Sequence, residues 1–299
     1  MKDEIAILIY HQVLDERDPL RPYEVDKRTF ERQVRILTRY FNVLPLSEAI
    51  DRANEFTLPR NTICITFDDG YADNRRNALP ILQKFGVTAS FFVATGFMDG
   101  SMMFNDLVIE AVRSCSDAEI IADELIEPVE VGSTDQSRFS AVRRILASIK
   151  YLPQQERQEC AEKLAGKYSA KLTNCEMMTR DQIRALQSAG MAIGAHTVTH
   201  PILLNLTDEM SKSEILESKL HLEDILQEDV TTFAYPNGKR DQDFGQREVS
   251  FVQECGFRLA LSTEWSTATS ESARFELPRV SIGTNRGLRL FAKAFLQRF

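Results

Sequence analysis

Two stretches of this 299-residue chain carry side chains whose types and spacing could do chemistry. In ITFDDGYADN, residues 65–74, an apolar run ends in adjacent carboxylates, Asp68 and Asp69, before Gly70 turns the chain. At the end of a buried strand the two acids would repel each other and lose hydration unless a cation or a proton lay between them. In GAHTVTHP, residues 194–201, His196 and His200 stand four apart, a spacing at which two imidazoles can bind one metal. Either stretch alone has an ordinary explanation: an acidic turn or helix start for the acids, a surface or core pair for the histidines. Combined, His-His-Asp makes a three-ligand set with one coordination position open for water, as in catalytic zinc sites.

The elements that must position these residues follow from apolar periodicity. Short runs rich in β-branched and aromatic residues alternate with helical patterns, the signature of β/α units around a mostly parallel sheet. Seven strands are expected: Ile5–Tyr10, Thr62–Phe67, Ala89–Ala94, Met191–Ala195, Thr232–Tyr235, Arg258–Ser262 and the neighbourhood of Val280. Polar or turn residues follow them at once: His11, Asp68-Asp69, His196 and Pro236-Asn237-Gly238. In a barrel of parallel strands the carboxyl ends open onto one mouth, where residues distant in sequence meet. The fold class expected is therefore α/β, a distorted (β/α)7-type barrel, with residues 1–299 as one domain.

A mainly helical insertion at about 97–178 separates the third and fourth strands, with helices near Arg138–Lys150 and Gln154–Ser169. It would cap the barrel mouth or buttress its side. Thr179 and Gln182 form a possible capping box for a helix ended by Gly190, and an amphipathic run covers Asp208–Leu226. The net charge of −8, without a basic stripe, argues against nucleic acid. No stretch is long enough to span a membrane. The acidic start and five scattered cysteines, Cys64, Cys115, Cys160, Cys175 and Cys255, point to a cytoplasmic protein with free thiols.

TFDDG (66–70), HTVTH (196–200) and FAYPNG (233–238) resemble, in order, three motifs of the polysaccharide deacetylases, carbohydrate esterase family four. ILIYHQV, FFVATGF and LPRVSI resemble a subgroup of them, so the similarity spans most of the barrel and covers the insertion poorly. The resemblance implies that Asp69, His196 and His200 hold one divalent metal, zinc first, with cobalt, nickel or manganese possible. Asp68 would then be the general base. The backbone N–H of Tyr235 would stabilise the oxyanion, in a turn shaped by Pro236 and Gly238. The implied activity is removal of N-acetyl groups from a carbohydrate, polymer, oligomer or precursor, by attack of an activated water. The same apparatus could act on a formyl amide, an O-acetyl ester or a cyclic amide, or survive in a non-catalytic carbohydrate-binding barrel.

Departures from the family pattern raise further candidates. Many members carry a late histidine as general acid, but the four histidines here are His11, His196, His200 and His221. His221 reads as a solvated helix residue; His11, at the end of the first strand, is the candidate acid or an orienter of the site, with a purely structural histidine as the alternative. Phe233 stands where many relatives have an arginine touching the base. Arg279 in LPRVSI is the candidate substitute, with a surface ion pair as its alternative. Trp265 could stack on a sugar face or pack as a lid, and Glu264 could orient His11 or bind hydroxyls. Asp73 and Asn74 would cap the following helix.

Overall fold

The computed structural model describes residues 4–100, 102–116, 120–123, 125–168, 170–171 and 176–283. Seven parallel strands form a closed ring: β1 (Ile5–Tyr10), β2 (Thr62–Phe67), β3 (Ser90–Val93), β4 (Ala192–Ala195), β5 (Thr232–Ala234), β6 (Leu259–Trp265) and β7 (Leu277–Ser281). Around the ring the order is β1-β7-β6-β5-β4-β3-β2, and β2 pairs back onto β1 from Ile5↔Thr62 to Tyr10↔Phe67. All the expected strands are present, and β6 runs on beyond its expected end through Glu264 and Trp265.

Strand alternation sorts the residues between two cores. Ala6, Leu8 and Tyr10 of β1 and Ile63, Ile65 and Phe67 of β2 share a cluster with helix residues such as Phe30, Val34, Ile183 and Leu222. Ile5, Ile7, Cys64, Phe92, Ala234 and Leu261 share another with the helix Leu46–Asn54. Every other residue thus faces the barrel interior. That inward row continues past the strand end into Asp68 on β2, includes Arg279 after Leu277 on β7, and reaches His196 after the outward Ala195 on β4.

The connecting helices are encoded as expected. Thr179 and Gln182 exchange the two hydrogen bonds of a capping box, Gln182 N donating to Thr179 Oγ1 and Thr179 N to Gln182 Oε1. The helix Asp208–Leu226 is capped by Thr207. No described helix is long and apolar enough to cross a membrane.

The chain divides into two compact units, the barrel and a second one formed by Arg17–Pro22 with Gly100–Met177. The second holds helices Phe104–Ser114, Asp135–Ile149 and Gln154–Lys167, together with an antiparallel pair, Ile120–Asp123 with Ile126–Glu130, that periodicity did not suggest. Its core joins Leu107, Val112, Ile145, Cys160 and Leu164. Buried Arg21 holds the short segment there, donating to Asp18, Asp106 and Glu110 at 2.8–2.9 Å. Cys175 and Ser169, the expected end of one insertion helix, lie outside the described residues; Cys64 and Cys255 are free thiols.

Candidate active site

The acid pair sits on a turn of left-handed backbone. Asp69 has φ +73° and Gly70 φ +94°, and Ala94 N–H, just past β3, donates to the Asp69 carbonyl at 3.1 Å. A Cβ on Gly70 would come within 3.0 Å of Val93 Cγ1, so the position requires glycine on both conformational and steric grounds. A left-handed aspartate costs roughly 1–3 kcal/mol, a strain that concentrates at functional sites. Both carboxylates approach His196 Nε2, Asp69 Oδ1 at 3.5 Å and Asp68 Oδ2 at 4.0 Å.

Asp68 is almost wholly buried and lies against Arg279, itself 1% exposed. Arg279 Nη1 and Nη2 donate to Asp68 Oδ1 and Oδ2 at 2.7 Å each, and Nε donates to the Ser262 carbonyl at 2.8 Å. This paired fork is the strongest geometry open to a carboxylate and a guanidinium. Burial by itself pushes the Asp68 pKa up, but the charge and hydrogen bonds of Arg279, with His196 and His11 adding, hold the carboxyl below its ordinary range. The surface ion pair considered for Arg279 does not form. Phe233, in the place of the usual arginine, packs on Tyr235 and Phe257 in the core.

Asp69 meets a different set of atoms. Its Oδ1 lies 3.5 Å from His196 Nε2 and 3.4 Å from His200 Nε2. His196 Nδ1 is 2.6 Å from the Ala234 carbonyl. Only a ring N–H can donate to a carbonyl, so Nδ1 carries a proton, and that bond fixes the ring with Nε2 facing Asp69. The histidine loop bears two more left-handed residues, Thr197 (φ +65°) and His200 (φ +54°). Glu214 pins it by accepting from the backbone of Val198 and Thr199, both at 2.8 Å, and from the Thr199 hydroxyl.

Asp69, His196 and His200 offer one oxygen and two nitrogens, all within 4.8 Å of one another. An ion bonded at ~2.0–2.2 Å to tetrahedral donors leaves them roughly 3.3–3.5 Å apart, which matches the two carboxylate-to-imidazole separations. The residues present therefore fit a divalent cation. Burial raises the Asp69 pKa, but the His196 hydrogen bond and the charges of His200 and His11 overcome it, holding the carboxyl ionised far into acid.

His11 follows β1 with its side chain 43% exposed, its Nδ1 3.9 Å from Glu24 Oε1. Burial lowers its pKa, but the carboxylates of Asp69, Glu24 and Asp68 together outweigh burial and the Arg279 charge, and the net direction is up. Glu24, which no local sequence pattern singled out, also accepts from Gln12 N at 3.0 Å. Glu264, the expected orienter of His11, is exposed and instead accepts from Arg240 N at 3.3 Å. Trp265 is 70% exposed, with Arg279 as its register partner on β7. His221 is exposed, its Nδ1 3.0 Å from the Thr95 hydroxyl.

Two expectations need correction. Tyr235 N–H donates to the Leu261 carbonyl at 3.0 Å, and the ring stacks on Phe244 with centroids 3.8 Å apart. The residue continues the barrel ladder into the core, which takes its N–H away from an oxyanion; Pro236 beside it is buried. Asp73 and Asn74 do not cap the next helix, whose first turn, Asn74–Ala78, is π-helical and has no side-chain cap. Their side chains turn to the buried backbone of the loop after β1, whose N–H and C=O groups must find partners.

Comparison with known proteins gives the family and the fold. The family model described as polysaccharide deacetylase matches residues 56–134 and 154–259, more than half of the chain. YxkH of Bacillus subtilis (strain 168), named for the polysaccharide deacetylases, is 20% identical over 281 residues, 93% of this chain and 71% of its own. Among solved structures, IcaB from Ammonifex degensii superposes with a TM-score of 0.67 at 19% identity, covering 99% of this chain and 98% of its own. The Streptococcus pyogenes deacetylase PplD, solved with acetate, gives 0.66 at 18% identity, covering 99% of each chain. At such identities the two structures speak for the fold, and the family match speaks for the lineage. The chain belongs to the polysaccharide deacetylase family, hydrolases acting on the carbon–nitrogen bonds of linear amides.

Proposed function

We propose that this protein removes N-acetyl groups from an N-acetylated carbohydrate, with Asp69, His196 and His200 holding one divalent cation, zinc before cobalt, nickel or manganese. The observation that carries the reading is the division of the acid pair: Asp68 is engaged by the Arg279 fork, while Asp69 faces two imidazole Nε2 atoms. A bound cation supplies Lewis acidity, polarising the amide carbonyl and making water a usable nucleophile at neutral pH. Asp68, kept ionised and aimed by Arg279, takes the proton of the attacking water. The new C–O bond forms as the carbonyl π pair moves to oxygen.

Collapse of the tetrahedral centre breaks the C–N bond and needs a proton on the departing nitrogen, because an amine anion leaves poorly. His11, with Glu24 beside Nδ1 favouring its protonated form, supplies that proton. In this turn we assign the oxyanion to the Asn237 backbone N–H by elimination. Tyr235 N–H is engaged, Pro236 has none, and Gly238 N–H donates to the Pro236 carbonyl. Exposed Trp265 suits the flat face of a sugar ring. The free thiols of Cys64 and Cys255 support a cytoplasmic location, which fractionation would check.

The test is acetate release from a panel of N-acetylated sugars, oligosaccharides and nucleotide sugars by metal-loaded protein, with Asp68→Asn as control. Release should fall by roughly 10²–10⁴ in the control while bound metal stays at one per chain. No release from any member of the panel, despite bound metal, would remove the N-acetyl reading.

A further inference from the structure

The loop that presents His11 is gripped from one side by three side chains of the segment that follows the catalytic turn. Asn74 Nδ2 donates to the His11 carbonyl at 2.8 Å and to Asp73 Oδ1 at 2.9 Å. The same Asp73 oxygen accepts from Val13 N at 3.1 Å, and Asn77 Nδ2 donates to the Val13 carbonyl at 2.7 Å. Asp73, Asn74 and Asn77 are all at least nine-tenths buried. None reaches the Asp69, His196, His200 cluster through any of these bonds. The π-helical turn Asn74–Ala78 is itself a rare conformation, frequent at functional sites, and it offers Asn74 and Asn77 to the loop together.

We propose that Asp73 and Asn74 are positioning residues, clamping the His11–Val13 backbone so that the His11 imidazole is held where it can protonate the leaving nitrogen. The proposal rests on the acid role given to His11 above. His11 is half-exposed and its side-chain partner Glu24 is 3.9 Å away, so the ring is aimed chiefly by the backbone that carries it. Asn74 joins that backbone to Asp73, and Asp73 joins it again at Val13. Misplacing a catalytic group by about 1 Å can cost 10²-fold in rate.

The experiment compares hydrolysis of an N-acetylated sugar substrate with that of 4-nitrophenyl acetate, whose leaving group departs without a proton. Metal-loaded wild type, His11→Ala, Asn74→Ala, Asp73→Ala, Asp73→Asn and the His11→Ala/Asn74→Ala pair are measured, with metal stoichiometry as the check on folding. Asn74→Ala and Asp73→Ala should lower amide kcat roughly 10- to 100-fold with little change in KM or in ester turnover. Asp73→Asn, whose amide oxygen can accept the same two hydrogen bonds, should restore most of the rate. The double variant should be no worse than His11→Ala, because two residues in one assembly are not additive. An amide-to-ester ratio unchanged in Asn74→Ala and Asp73→Ala, while His11→Ala lowers it, overturns the clamp alone. A ratio unchanged in His11→Ala overturns the acid role and the clamp with it. Should Asn74→Ala fail to bind metal, the Asp73 pair of variants decides the matter by itself.

Discussion

In the helical unit Asp18, Asp106 and Glu110 each accept from guanidinium N–H groups at 2.6–3.0 Å, whereas at the barrel mouth Asp68 is met in this way and Asp69 is not. Formal charge does not separate the two regions. Three carboxylates against Arg21 and Arg113, and two against Arg279, each leave one negative charge. The facing atoms do separate them: around Asp18, Asp106 and Glu110 they are guanidinium N–H donors, around Asp69 they are the Nε2 atoms of two imidazoles, groups that also ligate metals. A buried acid satisfied by its own chain reads as architecture, and one surrounded by other ligand atoms reads as a receptor for a cation.

The comparison breaks most sharply at the metal. Asp69→Asn should abolish tight binding of a divalent cation, acetate release and the rise in Tm that the cation gives wild type, since whatever binds only the folded state stabilises it. Asp106→Asn in the helical unit should leave metal stoichiometry unchanged. Metal analysis and melting curves with and without chelator decide this, and an Asp69→Asn protein that keeps its metal would dissolve the distinction.

A smaller effect separates the two buried arginines. Arg279→Met and Arg21→Met each strand carboxylates in the interior, and each should cost about 3–5 kcal/mol of stability. Only Arg279→Met should also lower kcat of the metal-loaded, folded enzyme, because Asp68 loses the fork that aims it. Denaturant titration gives the first quantity and turnover at low temperature the second; equal kcat losses in the two variants would show that the fork has no special role.

How much of this was legible in the sequence depends on the range of the interaction that encodes it. The seven strands were, because inside–outside alternation is local. The grouping of Asp69, His196 and His200 was also accessible, since each follows a strand whose end must open on the common mouth. Arg279 lies on β7 and its partner on β2, but both stand on inward rows, so their meeting could be suspected from strand ends alone. Tyr235 falls within its expected strand, Thr232–Tyr235, and it is the role implied by the family resemblance that fails, because the β5–β6 ladder takes its N–H. Glu24 escaped because the chain between His11 and Glu24 leaves the barrel unit at Arg17–Pro22 before returning, so its approach to Nδ1 has no periodic signature. Asp73 and Asn74 carry the residue types of a cap, and only the buried loop opposite decides otherwise.

Asp73 sharpens the comparison further, because it manages burial in a third way. Its pKa is pushed up to about 7 by burial, with Glu24 adding to the rise, and the Val13 N–H, the Asn74 amide and the Arg76 charge only partly offsetting it. Where Asp68 has a guanidinium and Asp69 ring nitrogens, Asp73 keeps its proton. Below the ordinary value of 3.8 the folded and unfolded chains both hold that proton, so Asp73 adds no pH dependence there. Between 3.8 and about 7 the unfolded chain releases it while the folded chain retains it, and stability falls as pH rises. Above about 7 the folded chain has released it too and the penalty is complete. Asp73→Asn, neutral throughout, lacks this slope. The stability of the variant relative to wild type should therefore rise steadily from about pH 4 to pH 7 and level off beyond, as read from urea midpoints across that range. A difference that stays flat would mean that Asp73 is ionised in the folded protein at low pH, and that Asp68, Asp69 and Asp73 are all buried as anions.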